Sequence, residues 1–208
     1  MGPSPAADEK ATPVLSTLRS RRFTAFVLAV VLIAAVGQTV LTLRRTSPGN
    51  SDVTAGVVFI TPGKRVAVQL PSVDLLDGGR FDPATTAGHV TVVNFWASWC
   101  PPCFAEAPYL QQISHEKAIE GVMFLGVDSQ ESSPETGRGF VKDRGVEYPN
   151  VFDKDGAMQL AFSRRVQLGN LPVTVVLDRE GRIAGVVYGE AHYTDLTALI
   201  DRVAGAAA

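Results

Sequence analysis

The chain is poor in the residues that hold metals: among its 208 residues are two cysteines and three histidines. A structural zinc ion usually needs four protein ligands. With no second cysteine pair, the remainder would have to come from His89, His115 and His192, which are scattered along the chain. Charge of either sign is also lacking in excess, with 19 basic against 21 acidic residues and a formal net charge of −2. No basic stripe alternates with aromatics, so nucleic-acid binding finds no support. There are no internal repeats. Neither a metal nor an organic cofactor is expected.

What the chain does have is Trp96-Ala-Ser-Trp-Cys-Pro-Pro-Cys103, where its two cysteines lie three apart directly after the apolar, β-branched run Val90–Trp96. That run reads as a buried strand. If a helix begins at Cys100, residues i and i+3 share a face within disulfide reach. Cys100 is then the attacking thiol and Cys103 the resolving one. A helix N-terminus favours thiolate over thiol, while Pro101 and Pro102 suit the first turn but bring no N–H, so thiolate stabilisation should be moderate. A purely stapling disulfide is the bland alternative, but closing so short a loop removes little unfolded-state entropy. The spacing in its strand-to-helix setting favours redox work.

The segment Val92–Pro108 resembles the thioredoxin-like superfamily, specifically its membrane-anchored TlpA/ResA/DsbE branch. The likeness extends to Asp153-Lys-Asp-Gly156, similar to that family's central loop, and to Leu171-Pro172-Val-Thr-Val-Val-Leu-Asp178, similar to its cis-proline strand, and covers about Gly63 to Ala204. It implies an α/β fold, a thioredoxin-like three-layer sandwich with a central mixed β-sheet, preceded by one N-terminal transmembrane helix.

Residues 1–22 are rich in Pro, Ala and Ser and read as a disordered cytoplasmic tail. Residues 23–43 are uncharged and largely apolar, long enough to cross a bilayer as a helix, and show no polar face. Ala35-Val-Gly37 would also suit signal-peptide cleavage, but apolar character continues through Val40, Leu41 and Leu43, which favours a retained anchor. Lys10, Arg19, Arg21 and Arg22 precede the segment and Arg44 and Arg45 follow it, a slight bias toward a cytoplasmic N-terminus and an exported C-terminal domain. No cysteine lies nearby to carry a lipid. Residues 44–56 read as a linker, whose polar part would reach roughly 30 Å if extended, and 57–208 as the thioredoxin-like domain. The domain is thus expected at a cell membrane, single-pass, on the extracytoplasmic side.

Within the domain, alternating periodicity suggests an initial strand at Arg65–Leu70, a turn at Asp77–Gly79, and a helix from Cys100 to Lys117 that Pro108 should kink. Further strands are expected at Val122–Val127, Val173–Leu177 and Ile183–Tyr188, the last two as a hairpin around Arg179–Gly181. Helices are expected at Glu135–Arg144 and Ala157–Phe162, with Thr194 capping a closing helix through Val203.

Several residues beside the cysteines carry expectations. Glu106 lies one helical turn beyond Cys103, placed either to exchange a proton with the resolving thiol or simply to complement the helix dipole. Partial burial would raise its pKa, and the family resemblance, which has a glutamate at this position, implies that it tunes the cysteines. Asn94 stands where cytoplasmic thioredoxins carry a buried aspartate; it cannot titrate near neutrality, and reads as a satisfied buried amide that leaves proton handling to Glu106. At Leu171-Pro172 the resemblance implies a cis peptide packed on the dithiol, with the Leu171 backbone free to pair with a substrate strand. From the residues alone, Pro172 could equally be a tolerated strand start. Asn170 replaces a frequent family glycine, and its tolerance of left-handed backbone would preserve the turn. Trp96 reads as core. Trp99 is either an apolar platform for a partner or a structural aromatic.

These readings converge on thiol–disulfide exchange. The resemblance implies an exported reductant of partner disulfides, fed by a membrane dithiol donor, with apocytochrome c as beneficiary. The same residues run backwards would make an oxidant of secreted proteins. A copper-carrying metallochaperone of thioredoxin fold is disfavoured by the two-residue spacer, and a peroxidase by the setting of Ser98.

Overall fold

In a computed structural model of the protein, the structure describes residues 51–54 and 56–206. The tail, the expected anchor at 23–43 and the linker up to residue 50 lie outside the described residues. Among the described residues no helix is long and apolar enough to cross a membrane.

The strands are β1 (Ser51–Thr54), β2 (Val57–Ile60), β3 (Val90–Trp96), β4 (Val122–Asp128), β5 (Asn150–Phe152), β6 (Val173–Leu177) and β7 (Ile183–Tyr188); the helices are α1 (Pro101–Ala118), α2 (Pro134–Arg144), α3 (Ala157–Ser163) and α4 (Tyr193–Gly205). The strands form one mixed sheet in the order β1-β2-β7-β6-β3-β4-β5. Parallel pairing joins β3 to β4 and β4 to β5, and the other neighbours are antiparallel.

Every residue of β3 is buried, as its largely apolar sequence, broken only by Thr91 and Asn94, suits a central strand covered on both faces. Its side chains alternate between two cores. Val90 and Val92 pack with Leu110 and Ile113 of α1 and with Leu196, Leu199, Ile200 and Val203 of α4. The α4 set has the i, i+3, i+4, i+7 spacing of one helix face. Val93 and Phe95 pack on the other side with Met158 and Phe162 of α3, Phe95 meeting Phe162 edge-on at 5.3 Å. The expected three-layer α/β arrangement around a mixed sheet is the one observed.

Some local expectations fail. The sheet begins at Ser51, inside the stretch read as linker, because β1 pairs with β2. Arg65–Leu70 is not a strand: Arg65 closes a 3-10 turn through its N–H to the Pro62 carbonyl, and Ala67 contributes only a single bridge to Arg182. The place beside β7 belongs to β2. Helix α1 is continuous from Pro101 to Ala118 with Pro108 inside it, which does not bear on the kink expected there. Thr194 lies within the first turn of α4, whose N-cap is His192 without a side-chain capping bond. The three-residue β5, too short for periodicity to reveal, extends the parallel part of the sheet.

Two features set up the cysteine end. Trp96 and Asp128 are register partners, so β3 and β4 finish level, and the Ser129 N–H donates to the Trp96 carbonyl at 2.9 Å. At Gly126 a Cβ would sit 1.7 Å from Asn150 Oδ1. That absence of side chain lets the Asn150 amide accept the Trp96 indole N–H at 3.0 Å.

Candidate active site

The chain leaves β3 at Trp96 and enters α1 with Cys100 as N-cap. Cys100 and Cys103 are joined as a disulfide with a Cα–Cα distance of 5.3 Å. Pro101 and Pro102 fill the first two helical positions and have no N–H to offer. The first available donor is therefore the Cys103 backbone N–H, which reaches Cys100 Sγ at 3.3 Å. Such a bond at a helix start favours thiolate once the pair is reduced.

Both cysteines are buried in an apolar cluster with Trp96, Ala107, Phe140 and Leu76, against which Leu171 packs. Phe140 of α2 stacks on Trp96 at 4.3 Å and meets Phe104 edge-on at 5.1 Å. Trp96 is thus core, as expected. Trp99, next to Cys100, is 57% exposed, with its indole N–H directed to the Gln130 carbonyl at 3.4 Å. The Leu171–Pro172 peptide is cis. Asn170 does not take up left-handed backbone to make this turn. The sole described non-glycine residue with positive φ is Gln130, at 61°.

Glu106 is completely buried, more than the partial burial expected of it. Its Oε1 accepts from Asn94 Nδ2 at 2.8 Å and its Oε2 from the Ala191 N–H at 2.8 Å. Asn94 also donates to Thr174 Oγ1 at 3.0 Å, so it is the satisfied buried amide its position in β3 suggested. Burial pushes the Glu106 carboxyl up to about 8, against the two hydrogen bonds and aided by the Glu190 charge. Tyr148 is held well above the usual phenol range by burial first and by the Glu106 charge second.

Asp128 was not anticipated as part of this region. It is fully buried, and neither of its carboxylate oxygens has a hydrogen-bond partner among the described residues. Burial, with a smaller contribution from Glu131, pushes it up to about 8. A Cβ at Gly137 of α2 would lie 2.0 Å from Asp128 Oδ2, so a glycine is what allows the helix to pass over it. No local motif marks such a residue; the only sequence signal is an acid ending an apolar strand.

The histidines stay apart. His89 Nδ1 lies 2.9 Å from the Gly121 carbonyl, His115 Nε2 2.7 Å from Glu147, and His192 Nδ1 3.7 Å from Glu190. Among the described residues no three His, Cys, Asp or Glu side chains converge as a metal site. What the cluster supplies is a reversible sulfur–sulfur bond at a helix start. One helical turn beyond it is a carboxyl whose pKa, near 8, lies close to the ordinary thiol value of about 8.5.

Residues 65–200 match the redoxin family. Among curated relatives, the thiol-disulfide oxidoreductase ResA of Bacillus subtilis (strain 168) is 31% identical over 167 residues, covering 78% of this chain and 82% of that protein. Among solved structures, a DsbF homologue from Corynebacterium diphtheriae superposes with a TM-score of 0.63 at 28% identity, over 75% of this chain and 96% of that one. A secreted thiol-disulfide isomerase from Corynebacterium glutamicum gives a TM-score of 0.65 at 26% identity, over 70% and 92% of the two chains. The chain belongs to the redoxin family of thioredoxin-fold proteins, and it is a thiol–disulfide oxidoreductase.

Proposed function

We propose that the protein is a membrane-anchored, extracytoplasmic reductant of protein disulfides, with apocytochrome c among its substrates and a membrane dithiol carrier as its electron source. The observation that carries the direction is the single N–H, from Cys103, directed at Cys100 Sγ. An oxidant of this fold draws its power from a strongly stabilised reduced form. With Pro101 and Pro102 removing two donors and, among the described residues, no cationic side chain hydrogen-bonded to the sulfur, the Cys100 thiolate gains little. The oxidised state is then comparatively favoured, which supports reading the dithiol as a reductant.

In the forward reaction, Cys100 thiolate attacks a partner disulfide, forming a mixed disulfide and expelling one partner thiolate. Glu106 takes the Cys103 proton in those molecules whose carboxyl is ionised, a minority at neutral pH that grows as pH rises toward about 8. The Cys103 thiolate then attacks Cys100 Sγ, which closes the intramolecular disulfide and releases the partner as a dithiol. Two electrons have moved to the partner, and the carrier returns two. Trp99 and the backbone at Leu171, next to the cis Pro172, form the surface the partner meets. The apolar segment at 23–43 and its basic flanks support the anchored, exported placement.

The test is the equilibrium reduction potential of the Cys100–Cys103 pair in the full chain, titrated against defined dithiol buffers. A value near or below about −270 mV agrees with the reductant; one near about −120 mV makes it an oxidant of secreted proteins. Protease accessibility of the domain in intact spheroplasts tests the placement.

A further inference from the structure

A groove of about 570 Å³ is lined by Gln130, Gln159, Arg164, Arg165, Gln167 and Gly169 among others. Two links tie it to the reacting sulfurs. Gln130, on one wall, accepts the indole N–H of Trp99, the neighbour of Cys100. The other wall, through Gly169, continues directly into Leu171 and the cis Pro172. The volume suits several side chains of an extended segment.

Its chemistry is one-sided. No acidic residue lines it, and Glu131, next to Gln130, is engaged by the Ser98 N–H and the Thr136 hydroxyl. Arg164 and Arg165 are exposed, and neither guanidinium has an ion-pair or hydrogen-bond partner among the described residues. The other described arginines are occupied: Arg65, Arg80, Arg138 and Arg182 meet carboxylates, Arg179 a backbone carbonyl, and Arg144 and Arg202 lie over aromatic rings. Their place at the C-terminus of α3 suits the helix dipole. That accounts for their sign but not for a groove with no acidic group to answer them. A guanidinium pair flanked by amides matches carboxylates bidentately, with the amides free to bond an extended backbone.

We propose that this groove docks an acidic segment adjoining the target disulfide of the partner protein, so that the enzyme selects disulfides flanked by Asp or Glu. The proposal rests on thiol–disulfide exchange at Cys100 and is independent of its direction. Charge at the groove raises the encounter rate rather than altering the chemistry of the sulfurs.

The experiment uses the reduced full-length chain in nonionic detergent. Its probes are three peptides with the same single intramolecular disulfide, flanked by three Glu, three Gln or three Lys. The Glu peptide should be reduced about tenfold faster than the Gln peptide at low ionic strength, and the ratio should fall toward one in about 0.5 M salt. R164Q/R165Q should bring the Glu-to-Gln ratio to about one, and R164E/R165E should invert the order in favour of the Lys peptide. Equal rates for the Glu and Gln peptides with the unaltered chain, or a Glu preference that survives R164Q/R165Q, would overturn the proposal. The same ratios are then read with oxidised chain and dithiol peptides. Net flow toward peptide oxidation would sink the reductant reading while leaving the charge preference standing.

Discussion

Two ends of the sheet bury carboxylates and treat them in opposite ways. At the far end of β6 from Pro172, Asp178 is 3% exposed, and burial alone would push its carboxyl up. Hydrogen bonds from the Arg182 backbone at 2.9 Å, from Arg182 Nε at 2.8 Å and from Arg65 Nη1 at 3.2 Å outweigh that and hold it below the usual carboxylate range. At the cysteine end, Glu106 has two neutral donors and Asp128 none among the described residues, and both carboxyls stand at about 8. Comparable burial thus yields a permanent anion that ties the β6–β7 hairpin to Arg65, and a pair of carboxyls that carry protons at neutral pH. The difference lies in the partners. A charge-assisted bond repays desolvation, whereas one or two amide N–H groups do not.

The sharpest way to break this comparison is Glu106→Gln, which keeps the shape and removes the proton site. Exchange should slow about 100-fold at neutral pH, and the inflection near pH 8 in its rate profile should vanish; an unchanged profile would take Glu106 out of the proton path. Asp178→Asn should leave that profile alone.

Next in size is Arg65→Ala, which strips one cation from a buried pair. Denaturant titration should show a loss of about 3 kcal/mol with the pH–rate profile intact, and a loss well under 1 kcal/mol would mean that Arg182 alone satisfies Asp178.

A smaller effect separates the two ends by pH. Glu106 and Asp128 bind protons more tightly folded than unfolded, so their contribution to stability is full below about pH 4 and is lost as pH rises toward about 8. Asp178 works with the opposite sign, its contribution being lost only as pH falls through its lowered folded value. Urea midpoints should therefore fall from pH 5 to pH 8. Asp128→Asn should flatten part of that slope and add about 1–2 kcal/mol at pH 8, as expected when a buried charge is no longer demanded. A midpoint that rises with pH would contradict both raised values. Least of all, Trp99→Ala should raise KM a few-fold through lost contact area while leaving the reduction potential unchanged; a shifted potential would give Trp99 a part in the sulfur chemistry rather than in docking.

The dithiol with its strand and helix was legible because it is a local pattern, read over a few residues, whereas the cis peptide at Leu171–Pro172 and a tuning role for Glu106 were implied only by the family resemblance. Asp128 was not legible, since its isolation arises from Gly137 of another element passing over it. The role of Arg65 was equally hidden, and its stretch looked like a strand, because its partner Asp178 lies 113 residues away. β1 and β5 are four and three residues long, at and below the shortest length at which alternation carries information.

By itself the sequence pointed to the reaction: two thiols three apart at a strand-to-helix junction favour exchange with other sulfurs over a stapling role. Tertiary structure decided the protonation that goes with it. Glu106 meets its donors from Asn94, 12 residues back, and Ala191, 85 residues on. Its raised pKa follows from the loss of water when those distant segments close over it, and desolvation is a property of the assembled core rather than of any stretch of chain.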